Sequence, residues 1–147
     1  MRMRSSVFAA AGLVFAGTLA VSARQAPPPK ANPNGWVLPA NADEEKNPFA
    51  GDEKAIAAGK ALYDKTCKKC HGPGGKGDGP DADPDSMQDM DLTNPRRAAR
   101  NPDGIVFYKI WNGRKKPKMP AQKDELTKEQ IWAVVSYVQT LRKTTTP

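Results

Sequence analysis

The chain of 147 residues holds two cysteines and one histidine, and all three fall within Cys67-Lys68-Lys69-Cys70-His71. Thiols at this spacing lie one helical turn apart. Both can add to vinyl groups on the same edge of a porphyrin, giving two thioethers. The imidazole of the next residue then sits where it can ligate the iron. Other uses of the same residues fit less well. A disulfide or a redox dithiol would use C-x-x-C without needing His71, and the βαβ pattern that accompanies thioredoxin-like motifs is absent. A structural zinc site takes four ligands, and the chain has no further Cys or His to add to these three. The pentapeptide therefore points to one covalently attached haem c, with Cys67 and Cys70 as the attachment points and His71 as the proximal iron ligand. A single histidine excludes bis-histidine ligation within the chain. The sixth position falls to methionine, lysine, asparagine, an open site or a group from a partner.

Three helices are expected to carry this site. The first begins at Gly51-Asp52, where Asp52 and Glu53 suit the positive end of the dipole. Ile56, Gly59, Leu62 and Tyr63 recur at helical spacing up to Cys67. Gly59 costs about 1 kcal/mol mid-helix relative to Ala. It is either the place where a second helix crosses closely or a tolerated glycine. The second helix runs from Pro102 or Asp103 to Trp111, with Asn101 as its cap and Asn112-Gly113 as its end. The third opens on a capping box, Thr127-Lys128-Glu129-Gln130, and continues through Ile131, Val134, Val135, Val138 and Leu141 to Arg142 and Lys143. Thr144 to Pro147 should fray.

The connections are long. Gly72 to Pro80 is glycine-rich loop that must turn tightly beside the proximal side of a porphyrin. The acidic run Asp78, Asp81, Asp83, Asp85 lacks the glycine and terminal glutamate of an EF-hand loop and reads as solvated. A second loop, Gly113 to Pro120, carries Lys115, Lys116, Lys118 and Met119. No alternating strand pattern and no internal repeat stand out. The expected fold class is all-α: three main helices with long loops around one haem.

Residues 1–23 read as an export signal. Arg2 and Arg4 form a basic start, Val7 to Ala20 an apolar run, and Val21-Ser22-Ala23 a cleavage site after Ala23. The apolar run is shorter than the about 20 residues a membrane span needs, although retention as an anchor is the alternative. The arginines are not adjacent, so this is not a twin-arginine signal. Cleavage removes two of the 23 basic residues and none of the 16 acidic ones, so the net charge falls from +7 to +5. That balance suits acidic docking surfaces on protein partners and, in an exported chain, gives no reason to expect nucleic acid. Residues 24–50 are rich in Pro, Asn and Ala and favour extended backbone. Their early part reads as a tether, while Trp36, Val37, Leu38 and Phe49 could pin the later part to the domain at 51–147. A domain this small often needs a staple besides its core, and a covalent porphyrin would serve as one; the haem-free chain is expected to fold poorly.

The order helix, C-x-x-C-H, glycine-rich loop, helix, Met-Pro loop, terminal helix resembles the class I monohaem cytochrome c family over about residues 47 to 143. The likeness is closest to bacterial periplasmic members with a C-H-G-x-x-G-x-G-D-G-P stretch, matched from Cys70 to Pro80. It continues in Asp91-Leu92-Thr93 and in Asn112-Gly113 before Met119-Pro120. The resemblance implies that Met119 is the distal iron ligand. It implies that Gly59 and Tyr63 meet Val134 and Tyr137, and that the carbonyl of Pro80 accepts the proton on the far ring nitrogen of His71. The 48 residues from His71 to Met119 are enough to round a porphyrin, and the flanking prolines stiffen the loop. Met87 and Met90 are the competing thioethers, and any methionine can also be core filler.

The resulting expectation is a one-electron carrier in the periplasm that meets membranes only by way of partner complexes. Lys68, Lys69, Lys115, Lys116 and Lys118 would ring the exposed porphyrin edge and steer docking, or would merely solvate the surface. A haem subunit fixed to an exported dehydrogenase or reductase is the second reading. A gas-binding or peroxidatic haem is the third, and it requires Met119 not to bind.

Overall fold

A computed structural model describes residues 30–31 and 35–143; the expected signal segment, the early tether and residues 144–147 lie outside them. The three main helices are α1 (Glu53–Thr66), α5 (Asp103–Asn112) and α6 (Lys128–Lys143). Between them stand single turns or little more: α2 (Lys68–His71), α3 (Met87–Met90) and α4 (Pro95–Ala99). A two-residue antiparallel ladder pairs β1 (Lys30–Ala31) with β2 (Val37–Leu38). The fold is all-α, as expected.

The caps explain where the helices start. Asp52 accepts hydrogen bonds from the amides of Lys54 and Ala55 at 2.8 and 3.0 Å, satisfying two of the orphan donors of α1. Thr127 and Gln130 close the box ahead of α6: the Thr127 amide donates to the Gln130 side chain, and the Gln130 amide to the Thr127 hydroxyl. Asn101 does not cap α5. Its amide donates to the carbonyl of Arg97 and its carbonyl accepts from Lys109, so Pro102 takes the cap position without a side-chain bond. The capping asparagine is Asn94, which accepts from the amides of Arg96 and Arg97 ahead of α4, with Pro95 at its first position. Asp83 does similar work in the acidic loop, which is otherwise exposed at Asp78, Asp81, Asp83 and Asp85.

α1 crosses α6 at Gly59. A Cβ built there would stand 1.9 Å from the carbonyl oxygen of Ala133 and 3.0 Å from the amide of Val134. The glycine is the close-crossing kind. One turn on, Tyr63 meets Tyr137 edge to face, with centroids 5.1 Å apart. Tyr63, Ile131, Val134 and Val135 are the largest fully buried side chains. Gly59→Val should therefore push two backbones apart rather than displace a flexible side chain. Overpacking of this kind costs about 1–3 kcal/mol or more, and a thermal melt of the holoprotein should show it as a clearly lowered midpoint.

Residues 35–50 lie on the domain, held by buried groups. Trp36, Leu38 and Ala42 form a small core of their own against Ile105, Tyr108 and Met119. Asn47 is buried and donates to the Ser136 hydroxyl and the Trp132 carbonyl of α6. Tyr108 donates to Glu45, and Asn112 donates to the carbonyl of Val37. Gly104 has no room for a Cβ, which would meet the Ala42 carbonyl at 2.0 Å. Of the four residues expected as pins, Trp36 and Leu38 are buried and Phe49 is half-buried, while Val37 faces solvent.

Candidate functional site

α2 is the turn that C-x-x-C-H folds into. The Cys67 carbonyl accepts from the amides of Cys70 and His71 at 3.2 and 3.0 Å, so the three residues stand on one tight turn leaving α1. Both thiols are free and half-buried. Burial pushes the Cys67 thiol above its ordinary range, partly offset by its contact with the Thr66 hydroxyl at 3.3 Å. The glycine-rich loop folds back beneath the turn. Gly77 donates to the His71 carbonyl, Gly79 to that of Cys70, and Asp81 to that of Lys69. Gly79 is needed because a Cβ would strike the Lys69 carbonyl at 2.1 Å. Tyr63 donates its hydroxyl to the Gly72 carbonyl at 2.7 Å, fastening the loop to the helix crossing.

The His71 ring is oriented from an unexpected side. Its Nδ1 lies 2.7 Å from the carbonyl oxygen of Met90, the last residue of α3. Pro80, assigned that bond by resemblance, is exposed and takes no part in it. The reason is the fold-back just described: residues 79–81 pair with the backbone of α2 itself, which leaves the ring nitrogen to the next turn along the chain. The acceptor still fixes the ring and raises its basicity as such bonds do. Desolvation lowers the proton affinity of His71 and the Met90 carbonyl acts the other way, with a net downward shift that favours the neutral imidazole.

Facing this turn is a short hairpin. Arg114 and Met119 exchange both backbone hydrogen bonds at 2.9 Å, closing the loop between them and presenting Met119. Gly113 precedes it at φ +61°, with the Met119 carbonyl only 2.4 Å from where a Cβ would stand. Between the turn and the hairpin lie two adjoining cavities of about 100 and 80 Å³. They share Cys67, His71, Met119, Ile110, Arg114 and Trp36 as walls, so they are two parts of one cleft. Leu92, Val106, Val134 and Val138 supply apolar lining. Of the competing methionines, Met87 is 43% exposed and lines neither cavity, while Met90 lines the smaller one and gives its carbonyl to His71.

The cleft also contains charge that sequence reasoning missed. Arg97, Lys109, Arg114 and Arg142 line its larger part, against Asp89 and Asp91. Asp89 pairs with Arg97 and, at 3.4 Å, with Arg114, while the Asp91 carboxylate is taken by Thr93. Desolvation and the neighbouring Arg114, Arg97 and Arg142 push Lys109 down to about 8, with Asp89 opposing. The Arg114 side chain is only 9% exposed, and its Nε is buried with no hydrogen-bond partner. In the sequence these residues stood as isolated basic positions on helices and loops. Only the tertiary fold gathers them.

The matching protein-family model is Cytochrome c, over residues 56–142. The chain is similar to cytochrome c6 from Chlorolobion braunii, 35% identical over 86 residues, which is 58% of this chain and 90% of that protein. It is also similar to a chain of the Kuenenia stuttgartiensis reducing HAO-like protein complex Kustc0457/Kustc0458, at 30% identity and a TM-score of 0.53. That alignment covers 64% of this chain and 46% of the other, so the likeness spans about half of that structure's chain. With the helical fold, the C-x-x-C-H turn and the apolar cleft in place, the chain belongs to the cytochrome c family. The family implies covalently bound haem c, and the residues present fit that group. Free thiols, a neutral imidazole and a thioether border one apolar-lined cleft, and a buried guanidinium nitrogen there awaits an acceptor.

Proposed function

We propose that this chain is a one-electron carrier with one covalently attached haem c, held through Cys67 and Cys70 and ligated by His71 and Met119. The observation that carries the reading is the shared cleft, whose walls include Cys67, His71 and Met119 from opposite sides of the domain. Bound there, the haem supplies the Fe(III)/Fe(II) couple. Ligation by His71 and Met119 would raise the reduction potential, and with both residues bound to the iron no place would be left for a substrate. The residues' own part is to hold both ligands in fixed positions. The Met90 carbonyl steadies His71, and the Arg114 backbone steadies Met119.

The carrier works in the periplasm after export and cleavage behind Ala23. Its partners are redox proteins with acidic docking surfaces, and membranes enter only through partner complexes. Lys68, Lys69, Lys115, Lys116 and Lys118 are all exposed, the first pair on the C-x-x-C-H turn and the others in the Met119 hairpin. Attraction between a basic rim and an acidic partner is screened beyond about 10 Å at 0.1 M salt. Stopped-flow reduction by an acidic partner should therefore slow by at least about tenfold between low and physiological ionic strength. A flat profile would remove the steering role.

A second reading, a haem subunit fixed to an exported oxidoreductase, is favoured by the likeness to a chain of the Kuenenia complex. Purification from the native host separates the two. A carrier elutes alone, whereas a subunit co-elutes in fixed stoichiometry with a larger protein.

A further inference from the structure

Residues 35–50 lie ahead of the stretch, 56–142, that matches the cytochrome c family model. Attachment at Cys67 and Cys70 and ligation by His71 and Met119 require none of them. Their first residues nonetheless converge on one place, the hairpin that presents Met119. The Val37 carbonyl accepts from the Asn112 side chain at 2.7 Å, where α5 gives way to the hairpin. The Arg114 guanidinium lies over the Trp36 ring, 4.4 Å from its centroid, and the backbone of Arg114 is what Met119 pairs with. Gly35 stands beside the hairpin tip, where a Cβ would lie 3.9 Å from the Lys116 carbonyl. Met119 itself packs against the Trp36, Leu38 and Ala42 cluster as well as against the main core.

The hairpin needs such support. A single backbone bridge, Arg114 with Met119, closes it, and a two-stranded hairpin without further packing is marginal in water. Asp89 adds an ion pair to Arg114 at 3.4 Å. The leading segment adds buried apolar surface, since Trp36, Leu38 and Ala42 are almost fully covered. Its later residues are anchored elsewhere. Asn47 bonds Ser136 and Trp132 of α6, Glu45 accepts from Tyr108 of α5, and the Ala42 carbonyl sits against Gly104. Lys109 of α5, 5.0 Å from the Trp36 centroid, ties the ring to the same helix.

We propose that residues 35–50 are a strap, fixed to α5 and α6 at one end, that positions Met119 by holding its hairpin at the other. This rests on Met119 being the sixth ligand and goes beyond it: the permanence of that ligation is set from outside the family domain. A thioether that leaves the iron must open its hairpin or abandon its packing, so the cost of local opening adds to the strength of the bond. Trp36 acts through Arg114, and the Val37 carbonyl through Asn112.

The test uses the full chain matured with haem. Amide hydrogen exchange in the reduced protein is read by NMR at Arg114 and Met119, and at residues 131–138 of α6 as the internal standard. In Trp36→Leu and in Asn112→Ala, exchange at Arg114 and Met119 should rise about tenfold or more while α6 stays within about twofold. The same reduced variants should bind carbon monoxide, and the red-edge band should be lost on heating well before the helical signal. Trp36→Phe, which keeps an aromatic face for Arg114, should stay close to wild type. Unchanged exchange at the hairpin in both variants would overturn the strap, as would an equal rise in α6, which marks general loss of stability. Faster exchange with the red-edge band intact and no carbon monoxide bound would overturn its hold on the ligand. A wild type that lacks the red-edge band and binds carbon monoxide would instead overturn Met119 as ligand, and with it the strap's link to the iron.

Discussion

Met119→Ala, matured with its haem, is expected to keep its fold and lose its sixth ligand. The hairpin that presents Met119 is closed by backbone hydrogen bonds to Arg114, and these survive truncation of the side chain. The iron site would then be open on one side. The weak band at the red edge of the oxidised spectrum, which marks thioether ligation, should vanish, and the reduced protein should bind carbon monoxide. The potential should fall by about a few tenths of a volt, well inside the ~0.8 V range that axial ligation spans. If wild type and variant share the same red-edge spectrum and the same inertness to carbon monoxide, Met119 is not the ligand. A wild type that itself binds carbon monoxide would revive the gas-binding reading.

The second large effect concerns the thiols. Cys67→Ser with Cys70→Ser should yield a colourless protein whose mass equals that of the bare polypeptide. It should also lack a sharp thermal transition. Val106, Ile110, Val134 and Val138 border the cleft, and with no porphyrin opposite them they face a cavity and lose packing contacts, a loss that costs about 2–5 kcal/mol where a large core side chain is truncated. Net stabilities of about 5–15 kcal/mol do not survive several such losses. Circular dichroism on heating is the measurement. A cooperative transition close to that of the holoprotein would show that the helices fold without the staple.

The main features of this molecule were legible because they are local. Three helices follow from periodicity and caps, and Asp52 and Thr127 do what their positions suggest. The C-x-x-C-H turn is one helical turn because its spacing leaves little else. Gly59 shows the limit: periodicity alone could not distinguish a crossing point from a tolerated glycine, and the resemblance resolved it in favour of the crossing that the Ala133 carbonyl now makes evident. What sequence could not supply was long-range. The acceptor for His71 moved from Pro80 to Met90 because the loop between them doubles back on α2. Asn101 had the right type and place for a cap, but Lys109 and Arg97 compete for it. Asn94-Pro95 is a readable helix start, but α4 is too short to show a period. The cationic wall around Trp36 joins residues from three separate stretches, and no window of sequence contains it.

One short turn, α3, touches both sides of the cleft. Its Met90 carbonyl holds the His71 ring, while the neighbouring Asp89 carboxylate grips Arg114, whose backbone carries Met119. The two ends of the proposed axial bond system are therefore clamped through adjacent residues of a single brace. A displacement at one end would reach the support of the other through this chain of contacts. Such a brace would resist unequal movement of the two side chains, and its two contacts come from Asp89 and Met90, far in sequence from the hairpin they restrain.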